Sequence, residues 1–452
     1  MVQDIYRPRF HFAPAKGWMN DPNGLIRLGD SWHLFYQHDP DSISHGPMHW
    51  GHAVSRDLVT WEHLPVALAP DELGCCFSGS AIRTPDGEVK LFYTSHRVDA
   101  NGRDDQHQCL VHADADLAHF VRDAKHPVLS NRGENAFRDP KVIWHDEGKR
   151  WIMLITLGQS IAFYSSTNLT EWVFESVFGN HGRRHHNHPW ECPDLVRLAT
   201  PDGETAWVLI VGIGGYGFAA GSGTQYFVGD FDGSRFINAN APELELWADF
   251  GRDYYAAQCF FDDSDAPPVM LAWASNWDYA KQTPAKAFRG VMSLPRMLGL
   301  ERGPDGLRLV QTVPEFVRSA FDTLTPGDHA ITSGTFRIVG ELEHHEGQET
   351  ALHLFGADLP QFRIVEVEGK RWLHIFRQEH WAEAAVSEAF FSDYAVDLPQ
   401  GSLDFEVYVD NGLVELGLCR GRVWVTMQHF PADPQGAVRL VTHRTVSNCA
   451  AE

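Results

Sequence analysis

Asn20-Asp21-Pro22-Asn23-Gly24, running into the apolar stretch Leu25-Ile26-Arg27-Leu28, is the first of three related segments. Phe137-Arg138-Asp139-Pro140 leads into Val142-Ile143-Trp144, and Trp190-Glu191-Cys192-Pro193-Asp194 leads into Leu195-Val196-Arg197-Leu198. Each places a carboxylate one or two residues before a proline, at the mouth of an apolar strand. A turn and a second apolar run follow every time: Trp32 to Gln37, Trp151 to Thr156, Ala206 to Gly212. One Asp-Pro is an ordinary way to start a turn. Three carboxylates at matching points of a repeated unit predict one converging site.

A second repeat runs between these segments. Asp57-Leu58-Val59-Thr60-Trp61 returns as Asp116-Leu117-Ala118-His119-Phe120, as Asn168-Leu169-Thr170-Glu171-Trp172 and, more loosely, as Asp232-Gly233-Ser234-Arg235-Phe236. The starts lie about 50–65 residues apart, near the period of propeller blades. Short runs of Val, Ile, Phe, Tyr and Trp fill the intervals, bounded by turn signals such as Pro85-Asp86-Gly87 and Pro201-Asp202-Gly203. Phe77-Ser78-Gly79-Ser80 and Tyr254 to Gln258 fit as two further blade starts. The reading is all-β: a five-bladed β-propeller over residues 1–300, a linker over 301–320, and an antiparallel β-sandwich over 321–452. Only Pro314 to Ala320 reads as helical. Strands that open each blade surround a central channel, so Asp21, Asp139 and Glu191 should meet at one end of it. Carboxylates flanking a bond are what glycoside hydrolysis requires.

Composition narrows the partners. A net charge of −23 repels the phosphates of nucleic acid and an anionic membrane surface. No run approaches the ~20 apolar residues of a spanning helix. Met1 to Phe12 lacks the apolar run of a signal peptide, so the expectation is a cytoplasmic protein, or one whose leader has been removed. Seven cysteines, with Cys75-Cys76 adjacent, fit reduced thiols better than a disulfide framework. Without any Cys-x-x-Cys pair, neither a zinc site nor another metal site is expected. His181-Gly182-Arg183-Arg184-His185-His186-Asn187-His188 reads as a polar loop at the pocket rim.

Taken together, these motifs resemble glycoside hydrolase family 32, the β-fructosidases that include invertases, sucrose-6-phosphate hydrolases, inulinases and levanases. The resemblance spans nearly the whole chain: Trp18 to Gly24, Phe35-Tyr36-Gln37, Trp50-Gly51-His52, Phe77-Ser78-Gly79-Ser80, Arg138-Asp139-Pro140, Glu191-Cys192-Pro193, Trp277-Asp278-Tyr279-Ala280, Gly290 to Arg296 and Val409 to Glu415. It implies the same propeller and sandwich, no cofactor, Asp21 as nucleophile, Glu191 as general acid/base and Asp139 as transition-state stabiliser. It implies fructose-binding positions at Asn20, Gln37, Trp50 and Ser78, with Phe77, Arg138 and Trp277 beside them. Trp18 and Trp190 are further candidates for the pocket wall. Arg138, next to Asp139, is expected to help keep it ionised.

The implied activity is retaining hydrolysis of terminal β-D-fructosides in sucrose and short fructo-oligosaccharides through a covalent fructosyl intermediate. Sucrose-6-phosphate hydrolysis, with Arg183, Arg184 or Lys281 meeting the phosphate, exo-fructanase action and fructosyl transfer stay open within the family. A non-catalytic carbohydrate-binding propeller and an arabinan- or xylan-cleaving propeller glycosidase stand outside it. The sandwich is expected to be structural or a homo-oligomer contact.

Overall fold

Each carboxylate–proline segment opens the innermost strand of an antiparallel sheet, and there are five such sheets. The structure, a computed structural model, describes residues 4–134, 136–183, 188–284, 286–327, 329, 334–342, 347–357, 361–377, 387–431 and 437–444. Blade I begins with Gly17–Leu28, blade II with Cys75–Arg83, blade III with Phe137–His145, blade IV with Trp190–Ala199 and blade V with Tyr255–Cys259. Each inner strand packs against the next, and the fifth packs against the first, which closes a ring. Phe288–Arg289 adds to blade I in parallel, Gly17 opposite Phe288, and ties the end of the propeller to its beginning.

Burial explains the sequence pattern. Second strands such as Arg150–Leu157 are buried on both faces between neighbouring blades, so they read as unbroken apolar runs. Outer strands such as Val173–Gly179 alternate between solvent and sheet, so their pattern is mixed. The second repeat is the turn between third and fourth strands. Asp57 accepts the backbone N–H groups of Val59 and Thr60, Asn168 those of Thr170 and Glu171, and Asp232 those of Ser234 and Arg235. In the second copy the acceptor is Asp114, two residues before the Asp116 of the sequence motif. Leu58, Leu117 and Leu169 sit at φ of 57°, 52° and 67°, and their side chains plug the blade core.

The propeller is followed by two five-stranded sheets packed face to face around one apolar core. Both sheets meet the propeller through buried charges. Arg296 of blade V donates to Asp249 at 2.9 Å and to Glu415 at 2.5 Å, and all three are fully buried. His11 bridges Asp410 and Glu415 at 2.9 and 3.1 Å. Arg377 of the sandwich reaches Asp253 at 2.7 Å and Tyr279 at 2.8 Å.

The expected linker over 301–320 is corrected in part. Blade V continues through Arg296–Gly303 and Gly306–Thr312, so Gly303 to Gly306 is a hairpin turn inside a sheet. A Pro-Asp-Gly turn looks alike in sequence whether it joins two strands or two domains. The helix that follows is short, Glu315–Arg318. The six described cysteines are unpaired, and among described residues no helix is long and apolar enough to cross a membrane.

Candidate active site

Blades III, IV and V share one irregularity. Two residues on the inner strand face one on its neighbour: Asp139-Pro140 after Arg138, Cys192-Pro193 after Glu191, and Ala256-Ala257 after Tyr255. The first bulged residue is left-handed each time, with φ of 61° at Asp139, 48° at Cys192 and 52° at Ala256. Proline follows readily because the ladder is broken and its missing N–H leaves nothing unpaired. Blade II bulges at Ser78, between Phe77 and Gly79, and blade I is irregular on both sides of Pro22-Asn23.

The bulges stack side chains in three tiers along the channel. At the mouth, Arg138 donates to Glu191 Oε1 from Nη2 at 2.9 Å and from Nε at 3.2 Å, and the Tyr255 hydroxyl donates to Oε2. In the middle, Ser78 Oγ donates to Asp21 Oδ2 at 2.6 Å, and Cys192 Sγ reaches the same oxygen at 3.4 Å. Asn20 Nδ2 donates to Asp21 Oδ1 at 3.0 Å. The Cys192 N–H donates to Asp139 Oδ2 at 3.0 Å, so one residue touches both Asp21 and Asp139. Below, Lys141 Nζ meets Asp194 Oδ2 at 2.9 Å, and Gln258 Nε2 donates to the carbonyls of Cys192 and Pro193 at 2.7 and 3.0 Å. This lowest tier ties blades III, IV and V together beneath the carboxylates.

Crowding three carboxylates around one guanidinium favours protonation. Burial raises Asp21 above the ordinary carboxylate range and the charge of Glu191 adds to it, against the hydrogen bonds from Ser78 and Asn20. Burial lifts Asp139 to about 7; Arg138 opposes this, while Glu191 and Asp21 reinforce it. Arg138 acts in the expected direction, favouring the Asp139 carboxylate more than any other group does, but burial outweighs it. The guanidinium spends its near contacts on Glu191 and stands 3.9 Å from Asp139, too far to outweigh burial.

The remaining predicted residues divide by exposure. Phe77 and Trp277 are partly exposed, Phe77 stacked on His96 at 4.1 Å and Trp277 on Trp18 at 6.0 Å. Asn20, Gln37 and Ser78 are buried, and their polar groups serve neighbouring protein atoms. Gln37 Nε2 donates to Asn23 Oδ1 at 2.7 Å and to the Cys76 carbonyl at 3.0 Å. Trp50 offers no open face: it is 0% exposed, packs under Gly24, and donates its indole N–H to the Phe77 carbonyl at 2.9 Å. Trp18 and Trp190 are likewise fully buried. The site also contains two residues that the sequence reading left without a role, Cys192 and Tyr255. Aligning the blades on their bulges finds both, because Tyr255 takes in blade V the place of Glu191 in blade IV.

His181 stacks on Phe178 at 4.6 Å, and Arg183 pairs with Glu245 at 3.0 Å. Arg184 to Asn187 lie outside the described residues. Lys281 is exposed. Among described residues, no cluster of His, Cys, Asp and Glu has the form of a metal site.

The chain resembles known proteins in sequence and in overall structure. The chain is 42% identical over 349 residues to a levanase of Bacillus subtilis, covering 73% of this chain and 51% of that one, so it spans about half the levanase's length. It is 36% identical to an invertase of Schizosaccharomyces pombe, covering 94% of this chain and 80% of the relative. Its structure superposes on the exo-inulinase of Aspergillus awamori with a TM-score of 0.86 at 30% identity, covering 96% and 95% of the two chains. Residues 11–313 match the model of the glycosyl hydrolases family 32 N-terminal domain, and the chain belongs to that family.

Proposed function

We propose that the chain is a retaining β-fructofuranosidase acting on terminal β-D-fructosides of sucrose and short fructo-oligosaccharides. The observation that supports this reading is the convergence of Asp21, Asp139 and Glu191 on one site, joined by Cys192 and Arg138. In the first step an Asp21 carboxylate oxygen adds to the anomeric carbon of the fructosyl unit as the bond to the leaving oxygen breaks. Glu191 gives that oxygen its proton. In the second step water adds to the same carbon, Glu191 takes the water's proton, and Asp21 leaves as carboxylate.

Both steps develop positive charge on the sugar, and Asp139 lies where a carboxylate can meet it and hold ring hydroxyls. Tyr255 suits the two-step cycle because a hydroxyl donates to an ionised carboxylate and accepts from a protonated one. Ser78 and Asn20 fix both oxygens of Asp21, so attack needs no reorientation.

The test is product analysis with sucrose, sucrose-6-phosphate, 1-kestose, inulin and levan, alongside Asp21→Asn and Glu191→Gln. Free fructose from the parent protein alone is the expected result. Fructose from either variant at a comparable rate would remove that residue from its role. No fructose from any substrate would refute the activity.

A further inference from the structure

Trp277 lies on a stretch that no sheet holds in place. Asn276 to Thr283 run irregularly after the second strand of blade V, Val269–Trp273. Side chains on such a loop owe their placement to the bonds that tether it. The Trp277 ring packs on Trp18 at 6.0 Å and Trp273 at 4.7 Å, in one apolar cluster with Cys192 and Tyr255 of the carboxylate site.

The tethers converge on Arg252 and Asp253, just ahead of Tyr255. The Arg252 carbonyl accepts from Asn276 Nδ2 at 2.7 Å, and Arg252 Nη2 donates to Asp278 Oδ2 at 3.1 Å. Asp253 Oδ1 accepts the Tyr279 hydroxyl at 2.5 Å. The Trp277 N–H itself donates at 3.2 Å to Ser222 Oγ, in the turn between the second and third strands of blade IV.

One further tether comes from outside the propeller. Arg377 ends the sandwich strand Lys370–Arg377 and is fully buried. Its Nη1 donates to Asp253 Oδ2 at 2.7 Å, and its Nη2 donates to the Tyr279 hydroxyl at 2.8 Å. Nε donates to the Phe390 carbonyl at 2.6 Å and Nη1 to the Gln428 carbonyl at 2.9 Å, which fixes the guanidinium to the sandwich. The guanidinium groups of Arg377 and Arg252 stand over the buried Tyr279 ring at 5.0 and 5.5 Å. A rigid fork of donors thus holds the segment leading to Tyr255 against the loop that carries Trp277.

We infer that Arg377 is a positioning residue for the active site: from the sandwich, it clamps Tyr279 to Asp253 and so sets the loop that presents Trp277. Adhesion between the domains does not by itself require this clamp, because Arg296 and His11 already join them to Asp249, Asp410 and Glu415 through bonds outside the loop. The inference rests on the proposed β-fructosidase activity, with Trp277 meeting the substrate, and gives the sandwich a part in substrate binding.

The test is steady-state kinetics on sucrose, well below the melting temperature of each variant. Arg377→Met and Tyr279→Phe, the second keeping the ring and losing only the clamped hydroxyl, are expected to raise KM so that kcat/KM falls about 10-fold. Arg377→Lys, which keeps the charge without the fork, should recover part of the loss. Lost folding alone would lower the apparent kcat and leave KM as in the parent. His11→Asn, which cuts a buried charge pair between the domains outside the loop, should lower Tm and leave KM unchanged. In a Trp277→Ala background, Tyr279→Phe should change kcat/KM less than about 2-fold, because residues acting through one another are not additive. Arg377→Lys and Tyr279→Phe keep the test decisive should Arg377→Met fail to fold. An unchanged KM in Tyr279→Phe, a matching KM rise in His11→Asn, or a full further loss in the Trp277→Ala background would overturn the role of Arg377. Absence of fructose release by the parent protein would overturn the activity itself, and this role with it.

Discussion

Replacing Asp139 by asparagine should stabilise the fold while it disables the site, and the size of the effect follows from burial. The Asp139 side chain is 5% exposed, so solvent screens it little. Lifting it from 3.8 to about 7 means that its ionised form costs about 4 kcal/mol at and above neutral pH, at about 1.4 kcal/mol per pH unit. Asparagine removes that cost but weakens the bond from the Cys192 N–H, a loss of about 1–2 kcal/mol. The net gain is about 2–3 kcal/mol. For 452 residues, an unfolding entropy of about 2.1 cal/mol/K per residue converts this to about 2–3 °C in Tm. Between about pH 4 and 7 the folded chain binds more protons than the unfolded one, so stability falls as pH rises through that window. Asp139→Asn should therefore melt above the parent at pH 8 and level with or below it at pH 4.5. An equal difference at both pH values would refute the burial argument. In kinetics the same variant should lose kcat with a smaller change in KM, as a residue acting in the transition state requires.

Cys192→Ala keeps the backbone N–H on Asp139 and loses only a weak thiol contact to Asp21, so kcat should fall less than about 10-fold, measured on sucrose. Trp50→Phe strands the Phe77 carbonyl next to Ser78 and should cost about 1–3 kcal/mol in denaturant unfolding, with kcat reduced through Ser78 and Asp21. Glu415→Gln leaves Arg296 and His11 short of a counter-charge between propeller and sandwich, and should cost about 3–5 kcal/mol in the same assay. Burial works against the charged form of His11, yet its bonds to Asp410 and Glu415 raise it to about 9. The contribution of that raised pKa is complete below about pH 6.5 and lost as pH rises through about 9. His11→Asn should accordingly narrow the fall in Tm between pH 7 and 10.

Period and punctuation made the five blades legible. Leu58, Leu117 and Leu169 recur because the turn between third and fourth strands needs an acceptor side chain and then a buried left-handed residue. The three carboxylates were legible for a related reason, since an inner strand that bulges tolerates proline and few other places in a sheet do. What stayed hidden depends on which side of a strand is sealed. Trp50 and Trp277 look alike as tryptophans in apolar company, but Trp50 is sealed beneath Gly24 while Trp277 hangs from the turn of blade IV. The linker was misplaced because Pro304-Asp305-Gly306 carries no mark of which elements it joins. The second partner of Arg138 stayed hidden because adjacency in sequence pointed only to Asp139, whereas the fold also brings the guanidinium to Glu191, 53 residues away.

The spacing of each carboxylate from its proline separates their work. Asp139 stands immediately before Pro140 and falls on the bulge itself, in the tier that also receives Asp21. Glu191 stands two before Pro193 and falls one tier nearer the mouth, level with Arg138 and Tyr255. The proposed acid/base role needs a group that exchanges protons with a leaving oxygen and with water, and Glu191, with 24% of its side chain exposed, suits that role. A group that meets charge on the sugar gains from being buried, because the interaction strengthens as water is excluded. Asp139 accepts the cost of that burial in its raised pKa. Cys192 occupies on blade IV the bulge position that Asp139 occupies on blade III, so Glu191 and Cys192 together supply one group to each of the two upper tiers. Moving the blade IV carboxylate by a single residue, with Glu191→Cys and Cys192→Glu exchanged, should leave a folded propeller with three carboxylates in one tier and no turnover of sucrose.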